Sequence, residues 1–104
     1  MWILKGEKME IQKVQPGMTG VNIKGKVLEI GKIRDVKTRY GETQVANATI
    51  EDETGQLKLT LWGDQIEKIS EGDIVEITNG YAREWQGEIQ VSVGKQGEIK
   101  ISNE

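Results

Sequence analysis

The sequence predicts an all-β domain: a five-stranded Greek-key barrel with a short helical segment after the third strand. Three observations point there. Apolar and polar residues alternate at period 2 through most of the chain, as they do in half-buried strands. Turn signals recur at short spacing, and "GDQIEKIS" alone reads as a brief helix. The first strand changes phase partway, which is how a strand behaves when it bends to close a small barrel. At 104 residues the chain suits one domain, and a chain of this size buries roughly two-thirds of its unfolded surface, enough for a single core.

In order, "VNIKGKVLEI" begins with Val21, Ile23 and Val27 in one phase and ends with Leu28 and Ile30 in the other. The switch beside Gly25 predicts a bulge. "TQVANATI" is a strand of small residues with Ala46, Ala48 and Ile50 in phase. "EDETG" then turns, with Gly55 suited to positive φ. "QLKLTLW" sets Leu57, Leu59 and Leu61 on one face and Lys58, Thr60 and Trp62 on the other. The helix in "GDQIEKIS" takes Asp64 as its cap and groups Ile66 with Ile69. "DIVEIT" sets Val75 and Ile77 against Glu76 and Thr78, and "EIQVSV" turns Ile89, Val91 and Val93 inward, with Glu88, Gln90 and Ser92 outward. The hairpin between these two strands turns at Asn79-Gly80 or at Gln86-Gly87, and "IKI" offers a last short strand. Together these elements fit a barrel of the oligonucleotide/oligosaccharide-binding (OB) type, with an SH3-like barrel as its structural competitor.

Composition narrows the function. The chain has no Cys and no His, which removes disulfides, thiolate metal sites, Ser-His-Asp triads and Cys-His dyads together. The acidic run Glu51, Asp52, Glu53 sits in a hairpin turn, where acids are commonplace. The expectation is a protein that is not an enzyme and needs no metal or cofactor. No apolar run approaches the length of a membrane span, and "MWIL" is too short for a signal peptide. A soluble cytoplasmic monomer with no membrane partner is expected.

Net charge is −3, yet it is unevenly spread: residues 24–41 carry +4 and residues 42–76 carry −7. That asymmetry predicts a basic face on an acidic body. The loop "GKIRDVKTRYGE" supplies Lys32, Arg34, Lys37, Arg39 and Tyr40, and in an OB barrel this loop borders the binding groove. Trp62 falls on the polar face of its strand, beside Lys58 and Thr60; otherwise it caps the barrel end under the short helix. Tyr81 and Trp85 flank Arg83 in "NGYAREWQGEIQVSV". Extrapolation from Val75 and Ile77 places Tyr81 on the core side unless Asn79-Gly80 introduces a bulge. Four extended residues separate the two rings by about 13 Å. Rings that stack on unpaired bases, with Lys and Arg beside them for phosphates, are what single-stranded nucleic acid requires.

"EDETGQLKLTLWG", "KISEGDIVEITNGYAREWQGEIQVSVG" and "IQKVQPGMTGVNIKGKVLEIG" resemble the simple, single-barrel single-stranded DNA-binding proteins of archaea and their animal relatives, over roughly residues 9–101. The resemblance implies that Trp62, Tyr81 and Trp85 stack on bases and that Val36, Lys37 and Arg39 of the first loop touch DNA. Arg34, Lys58 and Arg83 complete the expected set of contacts. It implies a domain at 9–102 preceded by an extension at 1–8, single-stranded DNA as ligand with RNA tolerated, and a place in replication, recombination or repair alongside proteins of those processes. Family members often carry a Gly-rich tail that recruits partners; this sequence ends at "ISNE", so recruitment through such a tail is not expected of these residues. A protein-interaction barrel of a replication assembly and an RNA- or tRNA-binding barrel are the alternatives.

Overall fold

The computed structural model describes residues 8–94 and 97–102. The extension expected at 1–8, including Trp2, lies outside the described residues except for Lys8. A 3-10 turn at Ile11–Lys13 precedes seven strands: β1 (Val21–Ile30), β2 (Arg34–Thr38), β3 (Gly41–Glu51), β4 (Gln56–Trp62), β5 (Ile74–Trp85), β6 (Glu88–Ser92) and β7 (Glu98–Ser102). A helix, α1 (Asp64–Lys68), follows β4.

Five of the strands pair in the order β1-β3-β4-β6-β5, and β5 pairs back to β1, so the sheet closes. Within that ring β4 and β6 run parallel, Lys58 opposite Gln90 and Leu59 opposite Val91, while the other pairings are antiparallel. This is the OB fold the alternation predicts, with the helix after the third ring strand. The two further strands extend the ring: β2 pairs along β3, and β7 along β5. The stretch 34–38, read from the sequence as loop, is therefore one arm of a hairpin. Its alternation is carried by charged and polar residues, so no apolar period marks it.

Most apolar phases land where periodicity places them; Leu28 of β1 is an exception, 38% exposed. Ile23, Ile50, Leu59, Leu61, Val75, Ile77 and Val91 are wholly buried, and Ile11 and Val14 join them from the N-terminal turn. Closure depends on β1 serving two partners: Val21–Lys26 pairs with β5, and Lys26–Ile30 pairs with β3. The extra residue that produces the phase switch is Leu28, between Val27 opposite Ile50 and Glu29 opposite Thr49, rather than a position beside Gly25. Gly25 meets a different need. A Cβ there would stand 3.0 Å from the Glu51 carbonyl oxygen and 3.3 Å from Ile11 Cδ1, so the end of β3 and the N-terminal turn close onto bare backbone.

The β3–β4 turn is built differently from expectation. Gly55 does not take positive φ; the Asp52 side chain shapes the turn instead. Its Oδ1 accepts from the Thr54 N–H at 2.7 Å, Thr54 Oγ1 at 2.6 Å and the Gly55 N–H at 3.1 Å. Its Oδ2 accepts the Ile11 N–H at 2.9 Å, tying the turn to the N-terminal segment across 41 residues. Partial burial works against the carboxylate, but the bonds from Thr54, Ile11 and Gly55 outweigh it and hold the pKa below the ordinary 3.8. A depressed carboxylate contributes stability above its unfolded pKa and loses it as pH falls through the folded value. Thermal melts should therefore show the parent losing stability below about pH 4 more steeply than Asp52→Asn. Equal acid slopes for the two proteins would remove Asp52 from this role.

At the next junction Asp64 is the first residue of α1 rather than its cap. The cap is Gly63, with φ 54° and ψ −118°. Gln65 of α1 accepts the Trp62 N–H through Oε1 at 2.9 Å, so the helix holds the end of β4 in place. Ile69 is buried just beyond the helix, and Ile66 packs partly against the core.

Candidate nucleic-acid interface

The face that carries the rings is created by one residue. Along β5, Val75 and Ile77 point inward; continued strictly, the pattern would bury Asn79 and then Tyr81, Arg83 and Trp85. The structure instead holds Asn79 at φ 57°. Ile77 lies opposite Ile23 and Gly80 opposite Val21, so three steps on β5 match two on β1. This bulge inverts the phase. Gly80 and Ala82 become the buried residues, while Tyr81 is half-buried and Arg83 and Trp85 are exposed on the outer face. Asn tolerates the left-handed region better than most residues, which suits it to this position. The hairpin itself turns at Gln86–Gly87, with φ of 54° and 84°, and Trp85 opposite Glu88 closes it.

From β4, Trp62 lies on the same outer face. Val45 stands opposite it on β3, and Arg34 of β2 stands opposite Val45. The β2–β3 hairpin thus forms one wall and the β5–β6 hairpin the other. Between them lies a cleft of ≈ 270 Å³ bordered by Trp62, Trp85, Arg34, Val36, Lys37 and Arg83. Its floor is polar, formed by Asn47 of β3, Thr60 of β4, and Gln90 and Ser92 of β6. Trp85 is 60% exposed, unusual for the largest apolar side chain. Three cations border the cleft and no carboxylate does, in a chain whose net charge is −3. Of the basic stretch at 24–41, Arg34 and Lys37 reach this face and Arg83 joins them from outside the stretch, whereas Lys24 and Lys26 line a separate depression beside Glu51, Asp52 and Glu53.

Six of the nine sequence-derived candidates therefore meet in one cleft. The other three do not border it. Tyr81 shares the outer face of β5 but lines a neighbouring depression with Gly20, Gly80, Gly94 and Gly97. The Arg83 guanidinium stands 5.8 Å from the centre of the Tyr81 ring and so links the two places. Lys58 is turned along the sheet, its Nζ donating to Thr49 Oγ1 at 2.8 Å, beside Leu57 and Glu88. Arg39 lies with Tyr40 in the exposed turn that joins β2 to β3. The floor residues Asn47, Thr60, Gln90 and Ser92 went unmarked as site residues in the sequence. Period-2 alternation turns such side chains outward without distinguishing a groove floor from a solvated face.

Among the described residues, no group of three or more acidic side chains is placed to hold a metal ion, and no helix is long and apolar enough to cross a membrane. A family model described as "Single-stranded DNA binding protein Ssb-like, OB fold" matches residues 14–101. The chain belongs to this family.

This Ssb-like chain is 34% identical over 95 residues to the single-stranded DNA binding protein Ssb of Saccharolobus solfataricus, a match covering 91% of the chain and 64% of that protein. It is 35% identical over 71 residues to replication factor A of Methanothermobacter thermautotrophicus, covering 64% of the chain and 9% of that protein. The chain thus spans less than two thirds of the length of either relative. Among solved structures, an OB domain from Thermoplasma acidophilum superposes with a TM-score of 0.78 at 24% identity, over 91% of this chain and 86% of that one. A replication factor A related protein from Methanobacterium thermoautotrophicum superposes with a TM-score of 0.77 at 25% identity, over 93% and 92%. The OB architecture is common to all three.

Proposed function

We propose that this Ssb-like domain, residues 9–102, binds single-stranded DNA by stacking unpaired bases on Trp62 and Trp85 while Arg34, Lys37 and Arg83 hold the phosphates between them. The observation that carries this reading is the exposed indole of Trp85 in a cleft whose charged lining is Arg34, Lys37 and Arg83, with no carboxylate. Bases in a duplex have their faces covered by their neighbours, so a ring lying bare in a groove favours strands that are already unpaired. Tyr81, across Arg83 from the cleft, extends the row for the next base, and Arg39 and Lys58 meet phosphates of the strand beyond the cleft. Every base has a π-face, so stacking tolerates most sequences. Stacking acts on uracil as it does on thymine, which makes RNA an acceptable second ligand. Membership of a family described as single-stranded DNA-binding supports the reading, as does the name of the Saccharolobus relative. The role is to coat and protect exposed strands during replication, recombination or repair.

Stacking at on the order of 1–3 kcal/mol per base, less the cost of ordering the strand, gives micromolar or tighter affinity. With about three phosphates neutralised, log K should fall against log salt with a slope near −2 for a single strand. The test is an oligo-dT titration repeated at several salt concentrations. Lys37→Ala should make the slope shallower by about 0.7. A slope steeper than about −5, or no binding, would contradict a stacking-led mechanism.

A further inference from the structure

The walls of the cleft treat all bases alike, because rings meet π-faces and cations meet phosphates. Its floor can tell bases apart. Asn47 and Thr60 face each other across the β3–β4 pair, and both border the cleft. Thr60 Oγ1 donates to Asn47 Oδ1 at 3.3 Å, so the amide oxygen is engaged and the amide plane is oriented. Among the described residues, nothing accepts from Asn47 Nδ2. The half-buried Asn47 therefore offers the cleft a donor, its N–H2 group.

A base lying flat against Trp62 or Trp85 turns its edge toward that floor. A donor there rewards a carbonyl oxygen on the base. Thymine carries two carbonyls flanking its N3–H, cytosine and guanine carry one each, and adenine carries none and presents an amino group instead. An amino group set against the Asn47 N–H2 brings two donors together and leaves both unsatisfied, which costs more than the absence of a bond.

We infer that Asn47 is a base-reading residue whose amide N–H2 donates to the carbonyl oxygen of a stacked keto base and favours thymine over adenine. This rests on the cleft being the strand-binding site. A several-fold preference laid over sequence-tolerant stacking follows, of the size one hydrogen bond between neutral groups supplies, about 3- to 10-fold. Uracil carries the same two carbonyls, so this contact does not discriminate against RNA.

Oligo-dT can outcompete oligo-dA for a second reason, since backbone flexibility and self-stacking differ between them. The informative quantity is therefore the change in the dT-to-dA affinity ratio on mutation. Fluorescence anisotropy titrations with labelled dT and dA of about ten nucleotides should be run on the parent, Asn47→Ala and Asn47→Asp. The ratio should fall by about 3- to 10-fold in Asn47→Ala, chiefly through weaker dT binding. Asn47→Asp keeps the acceptor for Thr60 and nearly the same shape, yet loses the donor. It should show the same fall in ratio beneath a general weakening from its charge, and it carries the test if the alanine variant does not fold. A ratio unchanged in both variants, or a parent that prefers dA, overturns the assignment while leaving strand binding standing. A parent that binds neither oligonucleotide overturns both.

Discussion

A Trp62→Ala, Trp85→Ala double variant is expected to bind oligo-dT on the order of 10²- to 10³-fold more weakly than the parent while remaining folded. The loss follows from removing two stacking partners, each contributing about 1–3 kcal/mol. Stability should change little at Trp85, which is 60% exposed and has little burial to lose. Trp62 covers Val45, which is 4% exposed, so its removal costs about 1 kcal/mol of packing. Circular dichroism and thermal melts alongside the titration separate the two effects. A double variant that melts like the parent and binds like the parent would show that the indoles are not the stacking platform. A variant that fails to fold would assign Trp62 to the core, and the Trp85→Ala single variant would then carry the binding test.

The second large effect concerns Asn79. Asn79→Val should destabilise the domain by about 1–2 kcal/mol, because it strains the left-handed backbone, whereas Asn79→Gly should melt like the parent. Flattening the bulge at the same residue count is no escape, since strict alternation from Ile77 would bring Asn79 and Tyr81 to the positions that Gly80 and Ala82 now fill. Gly80 has no room to offer, since a Cβ there would already meet Val91 Cγ1 at 3.0 Å and Ile77 Cγ2 at 3.1 Å. Deleting Asn79 removes the bulge together with its extra residue and leaves Gly80 two steps from Ile77, so Gly80 and Ala82 stay inward and that variant should fold with its rings outward. An Asn79→Val variant that melts like the parent, or a deletion variant that does not fold, would contradict this phase count.

Legibility in the sequence followed the apolar residues. Leu57, Leu59 and Leu61 against Lys58, Thr60 and Trp62 located β4 and its two faces, and the same reasoning located β6 and the first half of β5. Where apolar alternation stops, the reading stops with it. β2 presents Arg34, Asp35, Val36 and Lys37, and only its ladder with β3 reveals a strand. Tyr81 could not be placed because its side of the sheet depends on the φ of Asn79, which composition leaves open. The phase switch in β1 signals a bulge, but the glycine that makes bulges easy points three residues before Leu28, where the extra residue sits. Composition points to Gly55 and Asp64 for backbone roles that Asp52 and Gly63 perform, because a turn closed by an Asp side chain and one closed by a left-handed Gly share the same composition. At the site, the outlying rings and the basic loop pointed to the cleft from sequence alone. Its floor did not, since Asn47 and Gln90 differ from ordinary outward-facing residues only by what the two hairpins enclose around them.

Base stacking in the cleft is tested most directly by making Trp85 the sole indole, with Trp2→Phe and Trp62→Phe, and following its fluorescence during an oligo-dT titration. Free protein should emit as a water-exposed indole, and added oligo-dT should quench that emission saturably, with the same midpoint that anisotropy reports for binding. Saturated binding that leaves the Trp85 emission unchanged would contradict the account.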